Sequence, residues 1–123
     1  MDFVASKQAP KAIGPYSQAV KANGFVFTSG QIALDPASGN LVDGDFSAQA
    51  RRVFDNLKAV LTEAHADFSR VVKATVYLTD LADFQTLNAI YAEYFGEHKP
   101  ARTTVGVAQL PRGSKVEIDL IAV

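Results

Sequence analysis

The chain has 123 residues, 48% hydrophobic and 20% charged, which suits one packed domain spanning residues 1–123. Its 12 basic and 13 acidic residues leave a net charge of −1 with no basic block, which argues against a nucleic-acid surface. With no Cys, disulfides, thiolate nucleophiles and thiolate metal sites are excluded.

In chain order, Phe3-Val4-Ala5 reads as a short first strand. Pro10, Gly14 and Pro15 then break regular structure, and Tyr16 follows a stiffened turn. Tyr16 is either a half-buried loop anchor or the rim of a pocket. Ala19–Ala22 and Phe25–Gly30 flank Asn23-Gly24, the strongest short hairpin signal. The second of these strands ends in Ser29-Gly30-Gln31. Gly30 reads either as a bulge or as a place where a ligand approaches the backbone. Asp35-Pro36 and Ser38-Gly39 open a turn-rich loop reaching Gly44.

Phe46, Ala50, Val53, Phe54, Leu57, Val60, Leu61 and Ala64 recur at helical spacing, with Asp45 or Ser47 as the N-cap. This helix should stop near His65-Ala66-Asp67, with His65 where a glycine would be natural. His65 and His98 read as surface residues, and no metal-ligand spacing surrounds either. Val71–Leu78 is the clearest strand, apolar enough to be covered on both faces. Asp80 and Asp83 then start a second helix whose stripe is Leu81, Phe84, Leu87, Asn88, Tyr91 and Phe95. Asn88 shares that stripe, so its amide needs partners: nearby backbone, or a site.

Gly96–Pro100 leads into a strand over Pro100–Val105. Leu110–Ser114 is a turn, and Lys115–Val123 is the last strand. One of these strands carries Arg102 and the other Glu117. A guanidinium fork grips a carboxylate with two bonds, and a nearby Glu can orient or deprotonate a water. The plainer alternative is a structural ion pair between the two across a sheet.

Strand, strand, strand, helix, strand, helix, strand, strand predicts an α+β sandwich, a mixed sheet with both helices on one face. Val20, Phe27, Val76, Val105, Val107, Ile118 and Leu120 exceed what two helices can cover. We therefore expect a cyclic homo-oligomer packed through its sheets. No signal-peptide pattern and no apolar run of membrane-spanning length occurs, so a cytoplasmic, membrane-free chain is expected.

Ile13–Ala19, Thr28–Gln31, Val72–Tyr77, Asp83-Phe84, Asn88, Tyr91, Phe95, Pro100–Arg102 and Glu117 together resemble the Rid (YjgF or L-PSP) family of reactive-intermediate deaminases. Because Arg102 and Glu117 are both present, the likeness is to its RidA-type branch. The resemblance implies a chorismate-mutase-like fold and a homotrimer with three sites at subunit interfaces. It also implies cofactor-free hydrolysis of short 2-imino acids to 2-keto acids and ammonia. By position, Arg102 would clamp the substrate carboxylate and Glu117 would hold the attacking water. Tyr16, Ser29, Gly30, Asn88 and Thr104 would line the site. Thr103 and Thr104 stand where many relatives have Ser and Cys; Thr104 can substitute if that position acts through its backbone. A carboxylate-sensing regulator and a translation-inhibitor-type ribonuclease are the rival functions, and a holdase-like role is also known in the family.

Overall fold

The computed structural model describes residues 1–123. Six strands form one sheet: β1 (Asp2–Val4), β2 (Ala19–Ala22), β3 (Phe25–Thr28), β4 (Val71–Leu78), β5 (Ala101–Gly106) and β6 (Val116–Ala122). Two helices, α1 (Phe46–Glu63) and α2 (Phe84–Phe95), cover one face of it. The spatial order is β1-β2-β3-β6-β4-β5. Only β4 and β5 run parallel, which is why a helical crossover, α2, joins them. The α+β sandwich expected from the element order is the fold observed.

Local chemistry explains the element ends. Asn23 and Gly24 take positive φ values of 52° and 79°, the left-handed pair that a tight hairpin between β2 and β3 requires. Asp45 caps α1 by accepting from the Ala48 amide at 3.0 Å. Its far end leaves through His65 at φ 62°, so His65 does occupy the glycine-like position. The second helix differs in detail from the expectation. Residues 81–83 form a 3₁₀ turn capped by Asp80, and the Asp83 side chain caps nothing. His98 also departs from the surface reading: it is half-buried, and its Nε2 lies 2.7 Å from the Val71 carbonyl oxygen, where β4 bulges.

The core lies between α1, α2 and the covered sheet face. Val53, Phe54, Leu57, Val60 and Leu61 of α1 meet Ala74, Val76 and Leu78 of β4 and Val116, Ile118 and Leu120 of β6, all at most 1% exposed. Phe54 is its hub, stacked on Tyr94 at 4.8 Å and edge-on to Tyr91 and Phe95.

The alternation of β4 and β6 corrects one expectation. Val76, Ile118 and Leu120 belong to the helix-covered face, so they do not contribute to the apolar excess on the other side. What the open face carries is Phe27 and Val105, 43% and 38% exposed, with Val20 and Ile121 half-buried. Between them runs a polar strip of Lys73, Thr75, Tyr77, Thr103, Glu117 and Asp119, set by the register of β5, β4 and β6.

Candidate functional site

Although β5 and β6 follow each other in sequence, β4 lies between them in the sheet. Arg102 pairs in register with Ala74, which is fully buried against the helices. Glu117 pairs with Tyr77, whose hydroxyl donates to Asp119 at 3.2 Å on the open face. Side chains alternate along a strand, so Arg102 and Glu117 of one chain point to opposite faces of the sheet. The cross-sheet ion pair considered from sequence is therefore absent, and the chain's one side-chain ion pair is Arg51–Glu93 at 2.9 Å. The sequence-predicted site residues fall into two groups.

The first group surrounds Glu117. A cleft of about 360 Å³ is lined by Tyr16, Ser29, Gly30, Gln31 and Glu117, with Lys11 and Pro111 among the rest of its wall. The β3 strand ends at Thr28, and Gln31 rejoins the sheet by exchanging two hydrogen bonds with Ile118. Ser29 and Gly30 bulge out between them. The Ser29 hydroxyl donates to the Ser17 carbonyl at 2.5 Å, tying the bulge to the loop that carries Tyr16. The Tyr16 hydroxyl accepts from the Ile13 amide at 3.3 Å, and its ring is 47% exposed at the rim. Tyr16 is thus both loop anchor and pocket rim.

Gly30 is both a bulge and a close approach. A Cβ there would stand 2.1 Å from Glu117 Oε2 and 2.8 Å from Cδ, so the carboxylate lies against bare backbone. Burial raises the pKa of Glu117 above the ordinary carboxylate value, and the negative charge of Asp119 adds to it. This carboxylate is poised to take a proton nearer neutrality than an exposed Glu. Gly30→Ala should therefore displace a flexible carboxylate while leaving the backbone intact. In the reaction proposed below, this should cost about 100-fold in rate, the scale for ångström-level misplacement. The melting temperature should stay within a few degrees, since Ala in place of Gly also restricts the unfolded chain. Thermal melts run beside activity assays check this.

The second group surrounds Arg102, on the helix-covered side at the sheet edge. Its guanidinium lies 4.8 Å from the Tyr91 ring centroid and 5.5 Å from that of Phe84. Thr104 follows on the same face of β5, paired with Val76. Asn88 lies on the α2 stripe between Phe84 and Tyr91. Asn88 Oδ1, Tyr91 Oη and Thr104 Oγ1 are all buried without a hydrogen-bond partner. Asn88 thus lacks the backbone partner that was its plainer reading. All three lie on the side of the sheet that Arg102 faces, and the Arg102 guanidinium makes no ion pair within the chain. Burial raises the Tyr91 pKa above the ordinary phenol value, and the positive charge of Arg102 partly offsets this.

Sequence reasoning had placed Tyr91 and Phe84 in the apolar stripe without a site role, and had not singled out Gln31, Lys11 or Pro111. The spacing of Phe84, Asn88 and Tyr91, four and then three residues, was the available signal for the first two. Lys11 and Pro111 reach the cleft through long-range folding, which no local pattern encodes.

Comparison with known proteins places the chain in a family. The family described as Endoribonuclease L-PSP matches residues 6–123. Protein DfrA of Myxococcus xanthus is 60% identical over 122 residues, covering 98% of this chain and 93% of that protein. The 2-iminobutanoate/2-iminopropanoate deaminase of Mus musculus is 50% identical over 120 residues, covering 98% of this chain and 89% of that protein. The crystal structure of E. coli TdcF with bound serine superimposes with a TM-score of 0.95 at 42% identity, covering 100% of this chain and 98% of that one. The chain belongs to the L-PSP family, the Rid family that its motifs resemble.

Proposed function

We propose that this chain hydrolyses short-chain 2-imino acids to 2-keto acids and ammonia, in a site that two copies build together. The observation that carries the reading is the state of Arg102. It is half-buried, stacked on two rings, with no carboxylate of its own chain paired to it. A guanidinium held in this way has its planar donor fork free for a ligand carboxylate. The names of relatives point the same way. The mouse relative is named for imine deamination, and TdcF holds serine, itself a small carboxylate.

Because Arg102 and Glu117 face opposite sides of one sheet, both can meet a small substrate only if a second copy supplies one of them. A homotrimer with cyclic symmetry fits this need. Each open sheet face would be covered by its neighbours, and every interface would join one Arg102 half to one Glu117 half. Sites in clefts between packed units are common.

The chemistry then asks little of the protein. The C2 carbon of an imino acid is already electrophilic. Arg102 fixes the carboxylate next to it, and ionised Glu117 accepts a hydrogen bond from a water. Glu117 takes a proton as the water oxygen bonds to C2 and returns it to the imine nitrogen. The resulting carbinolamine gives up its hydroxyl proton, which Glu117 passes to the amino group as the C–N bond breaks, releasing ammonia and leaving the keto acid with Glu117 ionised again. Imino acid plus water gives keto acid plus ammonia, with no covalent intermediate on the enzyme.

The family's endoribonuclease description finds less support in this surface. The cleft beside Glu117 offers one cation, Lys11, and the chain carries a net charge of −1. The deciding experiment generates 2-iminobutanoate with a dehydratase and follows 2-ketobutyrate release with and without this protein. Acceleration above the uncatalysed rate is expected. Tight binding of 2-ketobutyrate with no acceleration would instead make the protein a carboxylate-binding regulator.

A further inference from the structure

We propose that Phe84 and Tyr91 are positioning residues that clamp the Arg102 guanidinium and turn its donor edge toward the ligand. This rests on the reading above that Arg102 receives the ligand carboxylate. An arginine side chain has several freely rotating bonds, so an unpaired one at a sheet edge would otherwise sample many rotamers. A two-bond grip on a carboxylate needs one plane and one edge. The usual device, a carboxylate pairing with the guanidinium, is missing here, and would compete with the ligand if it were present. Aromatic faces supply the alternative, because they attract the cation without occupying its N–H donors.

The geometry supports this division of labour. Phe84 and Tyr91 lie seven residues apart on α2, two turns, so their rings stand along one stripe with Asn88 between them. The guanidinium carbon is 5.5 Å from one ring centroid and 4.8 Å from the other, so both rings reach it at once. Tyr91 is itself fixed from behind. It stacks on Phe95 at 4.3 Å and meets Phe54 edge-on at 5.9 Å. The platform is therefore part of the core and does not move with the arginine. Phe84 sits at the outer end, 38% exposed, and closes the other side.

The Tyr91 hydroxyl separates the ring's role from that of the phenol. It is buried without a partner, and a buried unsatisfied polar atom destabilises the fold. Tyr91→Phe keeps the platform and removes that penalty, so it should melt at or above the wild-type temperature. Tyr91→Leu removes the platform. Phe84→Leu removes the outer ring at a half-exposed position where the core is little disturbed.

Two measurements test the proposal. Binding of 2-ketobutyrate to the intact protein, followed by NMR titration, reads the grip without requiring turnover. Tyr91→Leu and Phe84→Leu should each weaken it roughly tenfold, the scale of a partly desolvated cation–π contact, and Tyr91→Phe should stay within about twofold of wild type. The Arg102 Nε–H resonance of the free protein should lie upfield through ring current and move downfield in Tyr91→Leu. Wild-type affinity in both Leu variants would overturn the clamp, as would a loss in Tyr91→Phe equal to that in Tyr91→Leu. So would an Arg102 resonance unmoved by loss of the ring. Arg102→Ala in the same titration keeps the two ideas apart. If it abolishes binding while the Leu variants do not weaken it, the clamp fails and the site reading stands. If it binds as wild type does, the site reading itself fails.

Discussion

Arg102→Ala is expected to lose at least about 100-fold in kcat/KM for imine hydrolysis. Two charge-assisted hydrogen bonds to a carboxylate contribute about 1.5–3 kcal/mol each, and the substrate has no second anchor of that strength. Arg102→Lys should recover only a small part. An ammonium restores the charge but presents a point instead of a fork, and it stacks less well on Tyr91 and Phe84. The fold should survive both changes, because Arg102 makes no ion pair in the chain. Keto-acid release from enzymatically generated imines, with melting curves alongside, checks this. Wild-type-like release by Arg102→Ala would remove the assignment.

Glu117→Gln is expected to lower kcat by a factor between about 10² and 10⁴, the range for removing a positioned general base, with a smaller change in KM. The pH dependence carries a second signature. Burial, with the charge of Asp119 behind it, raises the Glu117 pKa, so the carboxylate gains its proton at a higher pH than an ordinary Glu. The base is active when ionised, so kcat/KM should fall as pH drops through that raised value. The acid limb should therefore lie above the ordinary carboxylate range, and Glu117→Gln should flatten it. In stability the sign is opposite. A raised carboxylate pKa favours the folded state when protonated, so Glu117 and Asp119 oppose folding at neutral pH and cease to as pH falls. Asp119 is held by the Tyr77 hydroxyl and lies near Lys73, both of which lower its pKa against the larger effect of burial.

Much of this fold was legible because the local signals were strong and agreed with one another. Asn23-Gly24 dictated a hairpin, the α1 stripe dictated an amphipathic helix, and the apolar run of β4 dictated a central strand. All three are in place. The spatial order of the strands was not legible. The last strand, β6, inserts between β3 and β4, a choice made by long-range packing and invisible to any window of sequence. That insertion is also what decides the site. Reading Arg102 and Glu117 on consecutive strands suggested neighbours on one surface; with β4 between them and the register fixed, they face apart. The period-two rule carried enough information to assign each strand's faces. It could not say which face of β5 corresponds to which face of β6.

The site residues show the same limit. Gly30 was suspected as a point of close approach, and the group that approaches is Glu117 of the same chain. Asn88 stood out as an amide on an apolar stripe, and its carbonyl oxygen is in fact unsatisfied. Thr104 is likewise buried without a partner. Gly30 and Asn88 were legible because each broke a local rule, whereas Thr104 entered only through the family resemblance. Tyr91 broke none, since a tyrosine on a helix stripe is ordinary; its spacing from Asn88 and the guanidinium above its ring mark it out.

The claim on which the account depends is that one copy's Arg102 and another copy's Glu117 serve the same substrate. Mixing the two inactive variants tests it directly. Arg102→Ala and Glu117→Gln, each nearly inactive alone, are unfolded together, refolded at equal amounts and assayed for keto-acid release. If neighbouring copies share each site, random assembly places an intact Arg102 opposite an intact Glu117 at about one interface in four, so roughly a quarter of wild-type activity returns. Activity no greater than the sum of the two variants, from mixed oligomers shown to form by mass, would contradict the account.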